Sequence, residues 1–283
     1  MDIRSARAMA LDRLEGLLEQ RELDRVLSMV FEDEFNWIPT RPNRLLSEPE
    51  QMRFHQILQA LSEHQPIQYI LGTADFYGYV FKVSDAVLIP RPETEELVFW
   101  MLETIREGGH GAGIILDIGT GSGCIPIVLR KKLSDSWELW GQDVSAAALA
   151  IAKENGQRLQ ATVNWIQADI LDKTVWPACS DLWAVVSNPP YIPPSERSRM
   201  DEGVRLYEPA LALFVPEEDP LLFYRVIAAY AKTALRQRGY LFFELNDAYA
   251  RQVAALVAAE GFVEVEIQRD MQGFERMLRA RMP

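Results

Sequence analysis

Asn188, set between Ser187 and Pro189-Pro190-Tyr191, is the residue best placed to do chemistry. An apolar run, Asp181-Leu182-Trp183-Ala184-Val185-Val186, precedes it and reads as a buried strand. Two consecutive prolines permit neither strand nor helix. The strand must therefore end at Ser187, with Asn188 at its carboxyl tip. Ligands of open parallel sheets bind at such tips. A rigid corner there would offer two acceptors, the side-chain oxygen of Asn188 and the backbone carbonyl of Pro189. That pair suits a substrate NH2 group. The same tetrapeptide also makes an ordinary turn, so a second motif has to decide.

That motif lies upstream. Asp117-Ile118-Gly119-Thr120-Gly121-Ser122-Gly123 joins a strand over 114–118 to a helix over 125–133. Glycines let the chain turn tightly and approach a ligand with no Cβ in the way. The pattern is G-x-G-x-G. Cys124 stands where dinucleotide folds have a glycine or alanine, and no lysine follows as in a P-loop. A leading acid with G-x-G-x-G is the pattern of S-adenosylmethionine-binding folds, whose loop passes against the methionyl end of the cofactor. Asp143 ends a second strand over 137–143 and can accept both ribose hydroxyls. Asp169 ends a third strand over 163–169 and can accept the adenine amino group, with Ile170 beside it. Any one of these acids could merely end a strand or cap a helix. Three at consecutive strand tips around a glycine loop point to a nucleoside-type cofactor. Cys124 reads as a small core residue rather than a nucleophile.

Together the two motifs describe methyl transfer to a planar nitrogen. The reaction is an in-line displacement, so the main task is to hold the acceptor nitrogen close to the methyl and aligned. An amide or exocyclic amino nitrogen is a poor nucleophile because its lone pair is delocalised. Hydrogen bonds to Asn188 and Pro189 would fix its protons and stabilise developing positive charge. Tyr191 would give a flat face for packing a planar group, or simply anchor the loop.

The flanking elements must position these residues. Residues 1–72 read as a helical domain. Leu11, Leu14, Leu17 and Leu18 repeat at helical spacing, as do Leu23, Val26, Leu27 and Val30. Ser47 with Glu50 and Pro49 predicts a capped third helix carrying Phe54, Ile57, Leu58 and Leu61. Residues 73–90, rich in strand formers including Val87 and Ile89, predict a β-hairpin linker. Glu93 or Thr94 is expected to begin the helix bearing Leu97, Val98 and Met101. From residue 114 strands and helices alternate. Further strands are expected over 184–187, 239–245, 263–267 and 274–280, with helices over 221–235 and 247–260. The expected fold is α/β: a doubly wound, seven-stranded, mostly parallel sheet over 91–283. Its last strand should run antiparallel, because only Met271-Gln272-Gly273 separates it from its neighbour.

Composition narrows the class. No apolar run approaches the ~20 residues that span a bilayer, and Met1 to Arg7 lacks the apolar stretch of a signal peptide. Cys124 and Cys179 are expected as free thiols. A cytoplasmic monomer without a membrane role is the expectation. Three histidines and two cysteines show no metal-ligand spacing, so no metal is expected. The net charge of −12, with Arg130-Lys131-Lys132 as the one basic cluster, argues against a direct grip on nucleic acid.

The two motifs and the segments around them resemble the bacterial release-factor glutamine N5-methyltransferases. The resemblance rests on Gln65-Pro66-Ile67-Gln68-Tyr69-Ile70-Leu71-Gly72, Leu88-Ile89-Pro90-Arg91-Pro92-Glu93-Thr94-Glu95, the glycine loop, and Val186-Ser187-Asn188-Pro189-Pro190-Tyr191-Ile192. Tyr207-Glu208-Pro209 with Ala212-Leu213, and Asp270, Gly273 and Arg276 near the end, match as well. The family methylates the glutamine of the Gly-Gly-Gln tripeptide in class 1 peptide-chain release factors. The resemblance implies that Asn188 and Pro189 carry that amide, with Pro190, Tyr191, Pro90 and Arg91 around the substrate. It also implies that Asp117, the glycine loop, Asp143, Asp169, Ile170 and Asn188 hold S-adenosylmethionine, and that the helical domain and hairpin grip the release factor. One departure is visible. After Phe243-Glu244 the family usually has a glycine, where this chain reads Leu245-Asn246-Asp247. Two rival readings share the motifs: an adenine-N6 or guanine-N2 nucleic-acid methyltransferase, and a cofactor-binding protein without catalysis.

Overall fold

The computed structural model describes residues 1–176 and 179–283, which form two compact units. The first comprises Met1–Gly72 and Met200–Tyr207. Helix α1 (Ile3–Leu14) starts where the Asp2 carboxylate accepts the Ser5 N–H at 2.8 Å. It buries Ile3, Ala6, Ala10 and Leu14, the three-and-four spacing of one helical face. The helix stops there, so Leu17, expected on the same stripe, stays exposed. Helix α2 (Gln20–Ser28) runs into a widened turn over Met29–Glu34. Helix α3 (Glu48–Ser62) has the expected capping box: the Glu50 carboxylate accepts both the N–H and the hydroxyl of Ser47, each at 2.8 Å. Helix α4 (Ile67–Leu71) ends at Gly72 in a left-handed turn, φ 74°. Phe31, Phe54 and Ile57 centre the unit's core.

Residues 200–207, expected within the sheet domain, pack with this helical unit instead. They include helix Glu202–Tyr207, α8 in chain order. The Tyr207 hydroxyl donates to the Glu63 carbonyl at 2.9 Å, and Glu202 lies 3.3 Å from His64. A Cβ at Gly203 would stand 2.7 Å from the His64 carbonyl, so only glycine allows that approach.

The second unit, Thr73–Arg199 with Glu208–Pro283, opens with strands β1 (Thr73–Phe76) and β2 (Tyr79–Lys82). Tyr77 and Gly78 both take positive φ, as a two-residue hairpin turn demands. The hairpin is not a free linker. Phe76 and Phe81 sit in the unit's core. Asn155 clasps the Lys82 backbone from both sides, its Oδ1 accepting the N–H at 2.7 Å and its Nδ2 donating to the carbonyl at 3.0 Å. Val87 and Ile89 do not extend the sheet; the Val87 N–H closes a turn onto the Ser84 carbonyl. Helix α5 (Pro92–Glu107) starts a residue or two ahead of the expected Glu93 or Thr94, since proline suits a helix's first turn.

Then follow β3 (Gly113–Ile118), α6 (Cys124–Lys132), β4 (Trp137–Asp143), α7 (Ala146–Arg158), β5 (Asn164–Gln167) and β6 (Leu182–Ser187). After them come α9 (Ala210–Leu213), α10 (Leu222–Ala234), β7 (Leu235–Glu244), α11 (Ala250–Ala259), β8 (Val263–Arg269) and β9 (Glu275–Arg281). The seven strands order as β5-β4-β3-β6-β7-β9-β8, with only β9 antiparallel to its neighbours. Every residue of β6 is buried, with Ala184 and Val186 on one face of the sheet and Val185 on the other. One face packs α5 and α6 through Leu97, Met101 and Ile127; the other packs α10 and α11 through Tyr224, Ile227 and Val253. The chain order reverses between β3 and β6. That reversal is the switch point at which doubly wound sheets bind ligands. Among the described residues no helix is long and apolar enough to cross a membrane.

Candidate active site

The loop after β3 is tied to β4 by its backbone. The Gly119 and Thr120 N–H groups both donate to the Gln142 carbonyl, each at 2.9 Å. The Gly121 N–H donates to Asp143 Oδ2 at 2.9 Å, and Asp143 Oδ1 accepts the Ser145 N–H at 2.9 Å. Gly121 has φ 54°, and a Cβ there would meet nothing within 4 Å, so its bare face fronts open space. Gly123 has φ 79° for another reason as well: a Cβ would stand 2.8 Å from the Trp165 ring.

That open space is a cavity of about 320 Å³, within the usual size range of small-molecule sites. Gly119, Thr120, Gly121 and Ser122 line one side of it. Asp143, Asp169 and Ile170 line another. Asp169 lies two residues past the end of β5 rather than on it, and its Oδ1 accepts the Leu171 N–H at 2.9 Å. Each Asp143 oxygen retains a lone pair beyond its backbone bond. Burial raises the Asp143 pKa above its ordinary value. A bare glycine cradle, with two acids near the tips of β4 and β5, fits a cationic nucleoside cofactor such as S-adenosylmethionine.

Asp117 is placed differently. It is not on the cavity wall but buried behind the loop. No hydrogen-bond partner meets either carboxylate oxygen among the described residues. Burial, with Asp143 adding to it, pushes its pKa up to about 7, and the nearby Thr120 hydroxyl offsets part of the rise.

Asn188, Pro189 and Pro190 line the cavity from the tip of β6. The Ser187 hydroxyl donates to the Ile118 carbonyl at 2.6 Å and pins that tip to β3. Asn188 Nδ2 donates to Thr94 Oγ1 at 3.3 Å, and the Thr94 hydroxyl donates to Glu244 Oε2 at 2.5 Å. Glu244 is fully buried at the end of β7, and burial pushes its pKa up to about 7. Pro90 and Arg91 also line the cavity, and the Arg91 guanidinium pairs with the buried Glu208 carboxylate at 2.5 Å.

Tyr191 is also set apart. It does not line the cavity. Its hydroxyl turns toward Glu244 Oε1 at 3.4 Å, and its carbonyl accepts from Asn246 Nδ2 at 3.4 Å. Burial raises its pKa far above the usual value. Of its two readings, loop anchoring is the one this placement supports. Asn246 also caps the next turn by accepting the Ala248 N–H at 3.0 Å.

Thr94 and Glu244 were not singled out by sequence reasoning as site residues. Thr94 read only as a helix start. Glu244 did leave a signal, a lone acid closing the apolar run Leu241-Phe242-Phe243.

Comparison with known proteins identifies the family. Residues 99–207 match the methyltransferase small domain, and residues 5–72 match the PrmC N-terminal domain. A release factor glutamine methyltransferase from Flavobacterium psychrophilum is 35% identical over 285 residues, covering 99% of each chain. Its counterpart from Bacteroides thetaiotaomicron is 42% identical over 238 residues, covering 83% of each. Among solved structures, the T. thermophilus 16S rRNA N2 G1207 methyltransferase in complex with AdoMet and guanosine superposes with a TM-score of 0.53 at 17% identity, over 75% of this chain and 50% of that one. That likeness concerns the fold alone.

Proposed function

The chain belongs to the release factor glutamine methyltransferase family, and from that premise we propose how its residues methylate the side-chain amide nitrogen of the Gly-Gly-Gln glutamine in class 1 release factors. The observation that carries the reading is that the Asn188-Pro189 corner and the glycine loop line one cavity at the switch point.

S-adenosylmethionine, when bound, supplies a methyl group on a positively charged sulfur. Asp143 and Asp169 would accept its ribose and adenine protons, and Gly119 and Gly121 would leave room for its methionyl end. Asn188 Oδ1 and the Pro189 carbonyl would accept the two protons of the glutamine amide. Those acceptors fix the plane of the nitrogen and stabilise positive charge as it develops there. Pro190 keeps the corner rigid, because its ring removes one backbone freedom and one donor. Pro90 and Arg91 would border the entering peptide, with Arg91 held by Glu208. The helical unit and the hairpin would grip the release factor.

The deciding experiment incubates the purified chain with a purified class 1 release factor and methyl-labelled S-adenosylmethionine. Mass spectrometry should find one methyl on the glutamine of the Gly-Gly-Gln peptide. Tight cofactor binding without incorporation would overturn the reading. Label entering RNA or DNA instead would favour the nucleic-acid rival.

A further inference from the structure

The functional reading needs Asn188 to present its oxygen, not its nitrogen, to the substrate amide. An asparagine amide can flip, and the two faces are nearly isosteric. Something must therefore choose the orientation. Asn188 Nδ2 meets Thr94 Oγ1 at 3.3 Å, and Thr94 Oγ1 meets Glu244 Oε2 at 2.5 Å. A hydroxyl has one proton to give. An ionised carboxylate is acceptor-only, so a neighbouring Thr94 must spend that proton on Glu244. Thr94 Oγ1 is then left with lone pairs alone on the side facing Asn188. It can receive Nδ2–H but cannot serve Oδ1.

Resting on that reading, we infer that Thr94 and Glu244 are positioning residues which lock the Asn188 amide with its oxygen toward the substrate. Thr94 and Glu244 are both buried, so water cannot easily replace either link. The groups facing the carboxylate include Arg276 from β9, Glu93 and Thr94 from α5, Tyr191 from the proline corner, Cys124 from α6 and Tyr224 from α10. Arg276 favours the charged carboxylate and Glu93 opposes it. Tyr191, by donating to the other carboxylate oxygen, ties the same acid to the loop that carries Asn188. The device is thus one acid, one hydroxyl and one amide, drawn from β7, α5 and the tip of β6. It acts on the reaction only through Asn188.

The test compares the parent enzyme with Thr94→Val and Thr94→Ser at pH 8, using a purified release factor and labelled S-adenosylmethionine. Valine keeps the shape and removes the hydroxyl, while serine keeps the hydroxyl. Thr94→Val should lower kcat by about tenfold or more, the scale of losing one preorganised acceptor. Cofactor Kd and release-factor KM should stay within about twofold, because Thr94, although it lines the cavity, has its hydroxyl engaged by Glu244 and Asn188 and valine keeps its shape. Thr94→Ser should recover most of the loss. The inference is overturned if Thr94→Val keeps parent kcat, if serine fails to rescue, or if kcat falls only in step with cofactor affinity. A parent that transfers no methyl would instead sink the functional reading beneath it.

Discussion

Replacing Asn188 by alanine tests the heart of the site, and the structure sets the size of the effect. Among the described residues the side chain makes one long hydrogen bond, 3.3 Å to Thr94 Oγ1. A neutral bond of that quality contributes roughly 0.5 kcal/mol, so folding should hardly notice its loss. The cofactor cradle stands on β3, β4 and β5 with its own backbone bonds, so cofactor Kd should change by less than about twofold. What disappears is one acceptor aimed at charge that develops only in the transition state. Removing a preorganised group of that kind costs about 2.7–4 kcal/mol, or roughly 10²–10³ in kcat. Even a poorly aligned acceptor should cost about tenfold, since each factor of ten is about 1.4 kcal/mol. Single-turnover transfer of labelled methyl to a saturating release factor isolates the chemical step. Cofactor titration by calorimetry gives the binding term. A single-turnover rate within twofold of the parent would refute the assigned role, as would a rate loss matched by an equal loss of cofactor affinity.

Other perturbations probe different parts of the scaffold. Gly121→Ala forces a left-handed alanine and points a methyl into the cavity; urea unfolding should show a loss of about 1–2 kcal/mol, and cofactor affinity should drop at least about tenfold by calorimetry. Asn155→Ala removes the partner of the part-buried Lys82 N–H and carbonyl and of the buried Ser122 carbonyl; urea melts of the protein should show a loss of about 2–4 kcal/mol. Stability should also depend on pH in a direction set by the buried acids. Asp117 and Glu244 have pKa values raised from 3.8 and 4.5 to about 7, so the folded chain binds protons more tightly than the unfolded one. Their contribution is full below about 4, falls as pH rises, and is lost above about 7. The cofactor-free protein should melt at a lower temperature at pH 8 than at pH 5.5, and Asp117→Asn should flatten that slope; an unchanged slope in this variant would contradict the assignment.

Much of this was legible because local rules and the fold agree. The glycine loop, the proline corner and the acids at 143 and 169 each announce a strand tip by residue type, and a doubly wound sheet puts all strand tips on one edge. The capping box at Ser47 and the hairpin turn at Tyr77-Gly78 are likewise local chemistry. What escaped is non-local. Thr94 and Glu244 stand 150 positions apart, and no spacing rule links a helix's first turn to a strand end. Residues 200–207 follow a sheet strand in sequence yet pack with the first unit, a choice made by the bare Gly203 surface against His64. Tyr191 looked outward by motif, but a buried acid behind the corner captures its hydroxyl.

Register explains why an acid stands where an apolar residue would stabilise the chain more. Strands β6 and β7 pair with Ser187 opposite Phe243, and β3 pairs with β6 through Asp117 opposite Val186. One step beyond Ser187 and Phe243 brings Asn188 and Glu244 side by side at the sheet's edge. Leucine at 244 would continue the packing of Leu241, Phe242 and Phe243 and avoid the cost of burying a carboxylate. Asp117, on the other flank of β6, is buried behind the glycine loop at similar cost. Two such acids bracketing one strand tip run against the stability of the free chain, as residues at functional sites commonly do. The acid at 244 repays that cost only if an acceptor is needed there, one that takes the Thr94 proton and thereby turns the Asn188 oxygen toward the cavity.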